Sequence, residues 1–211
     1  MNKSIAVKNI VFVGFFQPSK FDKFFFIKNG LVKEDEILEP SVFSPEVVQF
    51  RTTGVSIAIL LNQIIIHQVD ILQDRIDEIA QKLIQSSDLE ITAIGINITW
   101  NLSPDESLEN STKNFFLNER NEMFSKFFNS DNVMYGAYVS KDISGGRLKL
   151  EIKPQVSKRL HDNIEIARFI SFAFNYHFDH DKSKNFDTLL NAVKNYKNFI
   201  KESEEIMSIY G

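Results

Sequence analysis

The segment LEITAIGINITWNL, residues 89–102, alternates with a period of two. Ile94, Ile96, Ile98 and Trp100 fall on one face, and Ile91, Ala93, Gly95, Asn97 and Thr99 on the other. One face is large and apolar; the other is small and half polar. This is the pattern of an interior strand, covered on one face and closely approached on the other. A helical period lies on each side of it, which puts the strand in the middle of the fold.

Upstream, residues 72–85 place Leu72, Ile76, Ile79, Ala80, Leu83 and Ile84 on one helical stripe, with Asp70 or Asp74 as the N-cap. Before that helix come three strand-like runs, 47–53, 55–61 and 63–69, with turns at Thr53-Gly54 and Leu61-Asn62. Their Val, Ile and Thr enrichment predicts an antiparallel meander. Residues 9–16 read as a first strand broken at Pro18-Ser19, and residues 24–28 as a second short strand ended by Asn29-Gly30. Residues 1–33 are locally basic and residues 34–46 acidic with two prolines, a loop or edge segment.

Downstream, residues 111–128 predict an amphipathic helix with Phe116, Met123, Phe124, Phe127 and Phe128 inward. Residues 133–140 and 146–153 read as a hairpin turning at Ser144-Gly145-Gly146. There Leu148, Leu150 and Ile152 alternate with Lys149, Glu151 and Lys153, so one face is wet. A long aromatic strand, 164–178, precedes a last helix, 184–209, whose stripe has a gap at Ser203. The expected fold is α+β: an antiparallel sheet of seven to eight strands with three packed helices, one domain over 1–211. Asn97 in GINITW and Asn175 in FAFNYHF sit alike within apolar strands, a faint echo between halves 1–103 and 104–211.

The bulk numbers bound the class. The chain is 43% hydrophobic and 25% charged with a net charge of −4, enough apolar surface to offset ordering entropy. It has 20 Phe and no Cys, so disulfides and thiolate metal sites are excluded. The longest apolar run, residues 55–66, is too short for a bilayer span, and no signal peptide pattern is present, so a cytoplasmic setting without membrane association is expected. Abundant Ile, Lys and Asn beside six Arg suggest an AT-rich bacterial or phage genome.

The end of the last helix, FIKESEEIMSIYG at 199–211, and the Gly95-Ile96-Asn97 triplet resemble a sporadically distributed bacterial family of unknown function, as does the order of elements. The aromatic-rich loop that follows that family's first strands has no counterpart here. The resemblance implies no activity and no cofactor.

Three chemistries have candidate residues. Lys141, Arg147, Lys149, Lys153, Lys158 and Arg159 face two acids within 141–159, a net of +4; with Lys20, Lys23 and Lys28 they could form a phosphate-binding face. Exposed strand positions are often Lys for a plainer reason, edge protection, and the whole chain is acidic. Within the run 176–181, His177, Asp179 and Asp181 share one face if the strand persists, which could make a facial metal site; a metal-dependent hydrolase would use His177, Asp179 and His180. His67, among apolar residues, reads as a hydrogen-bonded strand residue. No P-loop, nucleophile elbow, dinucleotide fingerprint or Cys nucleophile occurs, so no catalytic residue and no cofactor is assigned. The leading expectation is a non-enzymatic bacterial protein acting through protein–protein contacts, an accessory of a defence or toxin-control assembly, with exposed Phe available for self-association. The alternative is a nucleic-acid binder that uses the basic hairpin.

Overall fold

In the computed structural model the described residues are 1–70, 73–86, 89–117, 122–128, 130–158, 164–180 and 187–210. The chain forms β1 (Asn2–Phe15), α1 (Lys23–Lys28), β2 (Leu38–Phe43), β3 (Val48–Arg51), β4 (Val55–Ile59), β5 (Gln63–Gln68) and α2 (Ile76–Ser86). Then follow β6 (Glu90–Ser103), α3 (Leu108–Phe116), α4 (Glu122–Phe127), β7 (Ala137–Ile143), β8 (Gly146–Lys158), β9 (Glu165–Asp179), α5 (Asp187–Lys194) and α6 (Tyr196–Met207). All pairings are antiparallel, in one α+β sheet ordered β2-β3-β4-β5-β1-β6-β9-β8-β7. Nine strands among the described residues exceed the expected seven to eight. The strand not expected is β2, the acidic proline-containing edge; β1 is the expected first strand, extended back to Asn2.

The residues expected to form the meander do so, closed by Thr52 and Leu60 backbone bonds at its two turns. β6 lies between β1 and β9 along nearly its whole length. The hairpin closes at Ser144-Gly145, where Gly145 takes φ +77°, a conformation that glycine adopts without steric cost.

Strand alternation sorts the side chains into two faces. Ile10, Phe12, Ile57, Ile66, Ile94, Ile96, Ile98, Trp100, Leu148, Leu150, Phe174 and Tyr176 are buried on one of them. Helices α1, α2, α3, α5 and α6 pack there. Phe26 of α1 meets Phe50 edge-on at 4.8 Å, and Tyr176 stacks on Phe199 of α6 at 4.3 Å. Asp74, just before α2, pairs with Lys8 of β1, and Glu109 of α3 accepts from Arg168 of β9. Each fully buried large apolar side chain contributes about 1.5–3 kcal/mol against exposure, so this layer holds the fold together.

The opposite face of the sheet is left open, with no described helix packed on it. The small residues of β6 therefore face solvent rather than a close neighbour. Neighbouring strands shade them, so Asn97 and Thr99 are half-buried and Gly95 is buried.

Several local expectations change. Residues 24–28 are helical, not extended. The Asp22 carboxylate accepts from the Phe25 N–H at 2.7 Å and caps α1, and Gly30 (φ +62°) ends it with Leu31 N–H bonded back to the Phe26 carbonyl. Asn29-Gly30 does terminate an element, but a helix. Residues 111–128 form two short helices, because extended Leu117 (ψ 120°) ends α3. Phe116 packs on Tyr210 and Phe124 on Tyr135, whereas Met123, Phe127 and Phe128 are exposed, not inward. The C-terminal stripe is likewise two helices meeting at Asn195, with Leu189, Val193, Tyr196 and Met207 buried. Helix α2 begins at Ile76, and Leu72 lies outside the described residues.

The gap in that stripe is filled by chemistry. Ser203 is fully buried, and its Oγ accepts from the Trp100 indole N–H at 2.8 Å. Beneath α2 and α6, buried Lys8 donates to Asp74 Oδ2 at 2.6 Å, and the same oxygen accepts from the Tyr196 hydroxyl at 3.3 Å.

Candidate functional site

The open face carries a polar row that runs across the strands. Residues paired directly opposite on antiparallel strands project to the same side, with Cβ atoms about 4.5–5.5 Å apart. By register, Arg51, Ser56, His67, Asn9, Asn97, Asn175, Lys149 and Ser140 form one continuous line from β3 to β7. Its centre is a ladder of amides. Asn175 Nδ2 donates to Asn97 Oδ1 at 2.7 Å, and Asn97 Nδ2 donates to Asn9 Oδ1 at 2.7 Å. Three strands far apart in sequence are thus tied by side chains as well as by their backbones.

Gly95, one step along β6 on the same face, pairs with Val11 and His177. A Cβ placed there would lie 3.5 Å from Asn175 Nδ2 and 3.8 Å from Asn97 Nδ2. Both amide nitrogens therefore lean over Gly95, and the missing side chain leaves a small donor-lined notch. At the β2 side of the face, Pro40, Val42, Gln49, Arg51, Ser56 and Ala58 line a half-open cavity of about 430 Å³.

The predicted basic group is divided by the strand geometry. Arg147, Lys149 and Lys153 project onto the open face with Glu151, opposite to buried Leu148, Leu150 and Ile152. Lys141 pairs with Leu148, so it lies on the helical face, where it donates to Glu202 at 3.2 Å. Arg147 is held by Asp142 at 2.6 Å and by the Ser140 hydroxyl at 2.7 Å, and Lys153 by Glu151 at 2.7 Å. Lys158 is exposed at the far end of β8, and Arg159 lies outside the described residues. Lys20, Lys23 and Lys28 flank the Phe26 cluster at the β3 side of the sheet and do not join the hairpin. Among the described residues, alternation and local acids divide the predicted group between the two faces of the sheet.

Of the predicted metal group, His177 and Asp179 come together on the open face, Nε2 to Oδ1 at 3.0 Å. His180 follows the strand with its backbone N–H on the Thr92 carbonyl, and Asp181 lies outside the described residues. Among the described residues no three His, Asp or Glu side chains form a group that could hold a metal ion. His67 lies in the polar row between Ser56 and Asn9.

A second cavity of about 550 Å³ sits on the helical side, between the Ser144-Gly145 turn and α5–α6, lined by Phe178, Thr188, Asn191, Phe199 and Glu202. Glu202 accepts from Tyr176 at 3.2 Å. Burial, and next the Glu202 carboxylate, push the Tyr176 phenol well above the usual tyrosine range, so it stays a neutral donor.

Reading the sequence singled out Asn97, Asn175, Gly95 and Lys149 separately, and the structure brings them together. It missed Asn9, Ser56 and Arg51. The signal available for Asn9 was a polar residue at an odd position in an otherwise alternating apolar strand. No family model matches this chain, and no curated protein matches it. No described helix is long and apolar enough to cross a membrane.

Proposed function

We propose that this chain is a non-enzymatic binding protein, one component of a larger assembly, and that its working surface is the open face of the nine-stranded sheet. The observation that carries this reading is the row of hydrogen-bonded asparagines on a sheet face that the described helices leave uncovered. Most charged groups around the row are engaged with one another: Arg147 with Asp142, Lys153 with Glu151, His177 with Asp179. Such a surface offers directional hydrogen bonds at fixed spacing, which suits recognition of a partner more than proton transfer to a substrate.

The test compares two surfaces of one tagged protein. The partner is captured from cells of the source organism with the wild type, with the open-face variant Asn175→Ala/Lys149→Glu, and with the helical-side variant Lys197→Glu. The expected result is a defined protein that survives nuclease and high salt, is retained by Lys197→Glu and is lost from the open-face variant, with circular dichroism unchanged in all three. Equal capture by both variants, loss of the bound material on nuclease treatment, or turnover of a substrate abolished by one open-face change would each overturn the reading.

A further inference from the structure

The notch over Gly95 has a chemical preference of its own. Two amide N–H groups, from Asn97 and Asn175, lean into it, and each amide oxygen of Asn97 and Asn9 already accepts within the ladder. The notch therefore presents donors, and its complement is a group that only accepts. Lys149 stands directly opposite Asn175 in the register, is half-buried, and has no ion-pair partner among the described residues. A half-buried ammonium without a counter-charge has lost part of its hydration with no compensation, so it favours an anion beside it. Arg51, at the other end of the row, is also without an ion-pair partner among the described residues. The nearest acids on these strands, Asp142, Glu151 and Asp179, are each paired. The row thus carries two unmatched cations, Arg51 at its β3 end and Lys149 on β8, within a chain of net charge −4.

We infer that the Gly95 notch, with the Asn97 and Asn175 amides and the Lys149 ammonium, is a carboxylate-binding site that receives an acidic peptide segment of the partner. The inference rests on the open face being the working surface and names what that surface recognises. One carboxylate oxygen takes the two amide N–H groups and the other faces Lys149. Neighbouring strands are about 4.8 Å apart, so Lys149 stands two strand spacings from β6, and its long side chain, not the carboxylate, covers the distance across β9 to the notch. The next acidic side chain of an extended segment lying along the row would continue toward Arg51.

The test uses the full chain, labelled with nitrogen-15, at low ionic strength, and three probes: hexaglutamate, hexaglutamine and inorganic phosphate. Hexaglutamate is expected to shift the side-chain amide signals of Asn97 and Asn175, hexaglutamine to leave them in place, and phosphate to bind more weakly than hexaglutamate. Gly95→Ala should lower hexaglutamate affinity about tenfold, the scale of one charge-assisted hydrogen bond. Its Cβ meets nothing nearer than 3.5 Å, so the fold should be unchanged. Lys149→Ala should lower the affinity by a similar factor and flatten its salt dependence. Shifts confined to other residues, an unchanged affinity in Gly95→Ala, or equal binding of hexaglutamine would overturn the assignment. Phosphate binding more tightly than hexaglutamate would also overturn it and point to a phosphate-bearing ligand. If hexaglutamate fails while capture of the partner still depends on the open face, the carboxylate falls and the binding face stands.

Discussion

Replacing Ser203 with alanine removes one oxygen from the core and leaves the only indole of the protein without its acceptor. Trp100 is 6% exposed and Ser203 fully buried, so water cannot take the vacated position without opening the α6–β6 interface. A buried donor that loses its partner costs about 1–3 kcal/mol, the desolvation penalty of the group. Alanine is the better helix former and recovers about 0.5 kcal/mol within α6. The second bond of Ser203, to the Ile200 carbonyl at 2.7 Å, is local to the helix and its loss adds little. The net expectation is a loss of about 1–2 kcal/mol, with the melting temperature falling about 2–4 °C for each kcal/mol in a chain of this size. Trp100→Phe removes the donor instead, so the double variant should cost less than the sum of the two single changes by about 1 kcal/mol. Urea unfolding followed by circular dichroism reads all four proteins on one scale, and tryptophan emission follows wild type and Ser203→Ala site-specifically. A Ser203→Ala protein within about 0.5 kcal/mol of wild type, with additive behaviour in the double variant, would refute a desolvated indole–hydroxyl bond.

Two further predictions concern the buried polar groups under the helices. Lys8→Met leaves the part-buried Asp74 carboxylate without its cation and should cost about 3 kcal/mol, whereas Lys8→Met with Asp74→Leu should recover most of that, as measured by urea midpoints; a larger loss in the double variant would contradict the assignment. Tyr176 and Tyr196 are both held above the ordinary value of 10.0, first by burial and next by Glu202 and Asp74 respectively, so the unfolded chain loses these protons before the folded one does. Their contribution is fully present below pH 10 and is lost as pH rises above it. Urea midpoints at pH 8 and 11 should therefore fall steeply for wild type and less for Tyr196→Phe, and an equal fall in both would count against it.

The sequence alone was enough for the element types along β3 to β6, the hairpin and the C-terminal stripe. Side-chain period is a local property: alternation over 89–102 and the 3.6-residue spacing in α2 are imposed by where each residue points, whatever lies across from it. It also located Asn97, Asn175 and Lys149, because polar residues that alternate with large apolar ones fall together on the other face of their strands. Tertiary structure decided what those residues do. Which strand lies beside which is a matter of long-range pairing, and only the register of β1, β6, β9 and β8 turns scattered polar positions into one row. The same holds for charge. Local counting made the hairpin basic, but alternation sends Lys141 to the helical face and partners occupy Arg147 and Lys153. The Phe-rich run at 24–28 became a helix because the Asp22 cap and the Phe26–Phe50 contact outweigh a strand propensity worth at most about 1 kcal/mol. That the second face of β6 stays open, rather than closely approached, was likewise beyond local pattern. Both faces of β6 carry side chains that could pack, and the large apolar side buries more area, so the asparagines stay toward solvent.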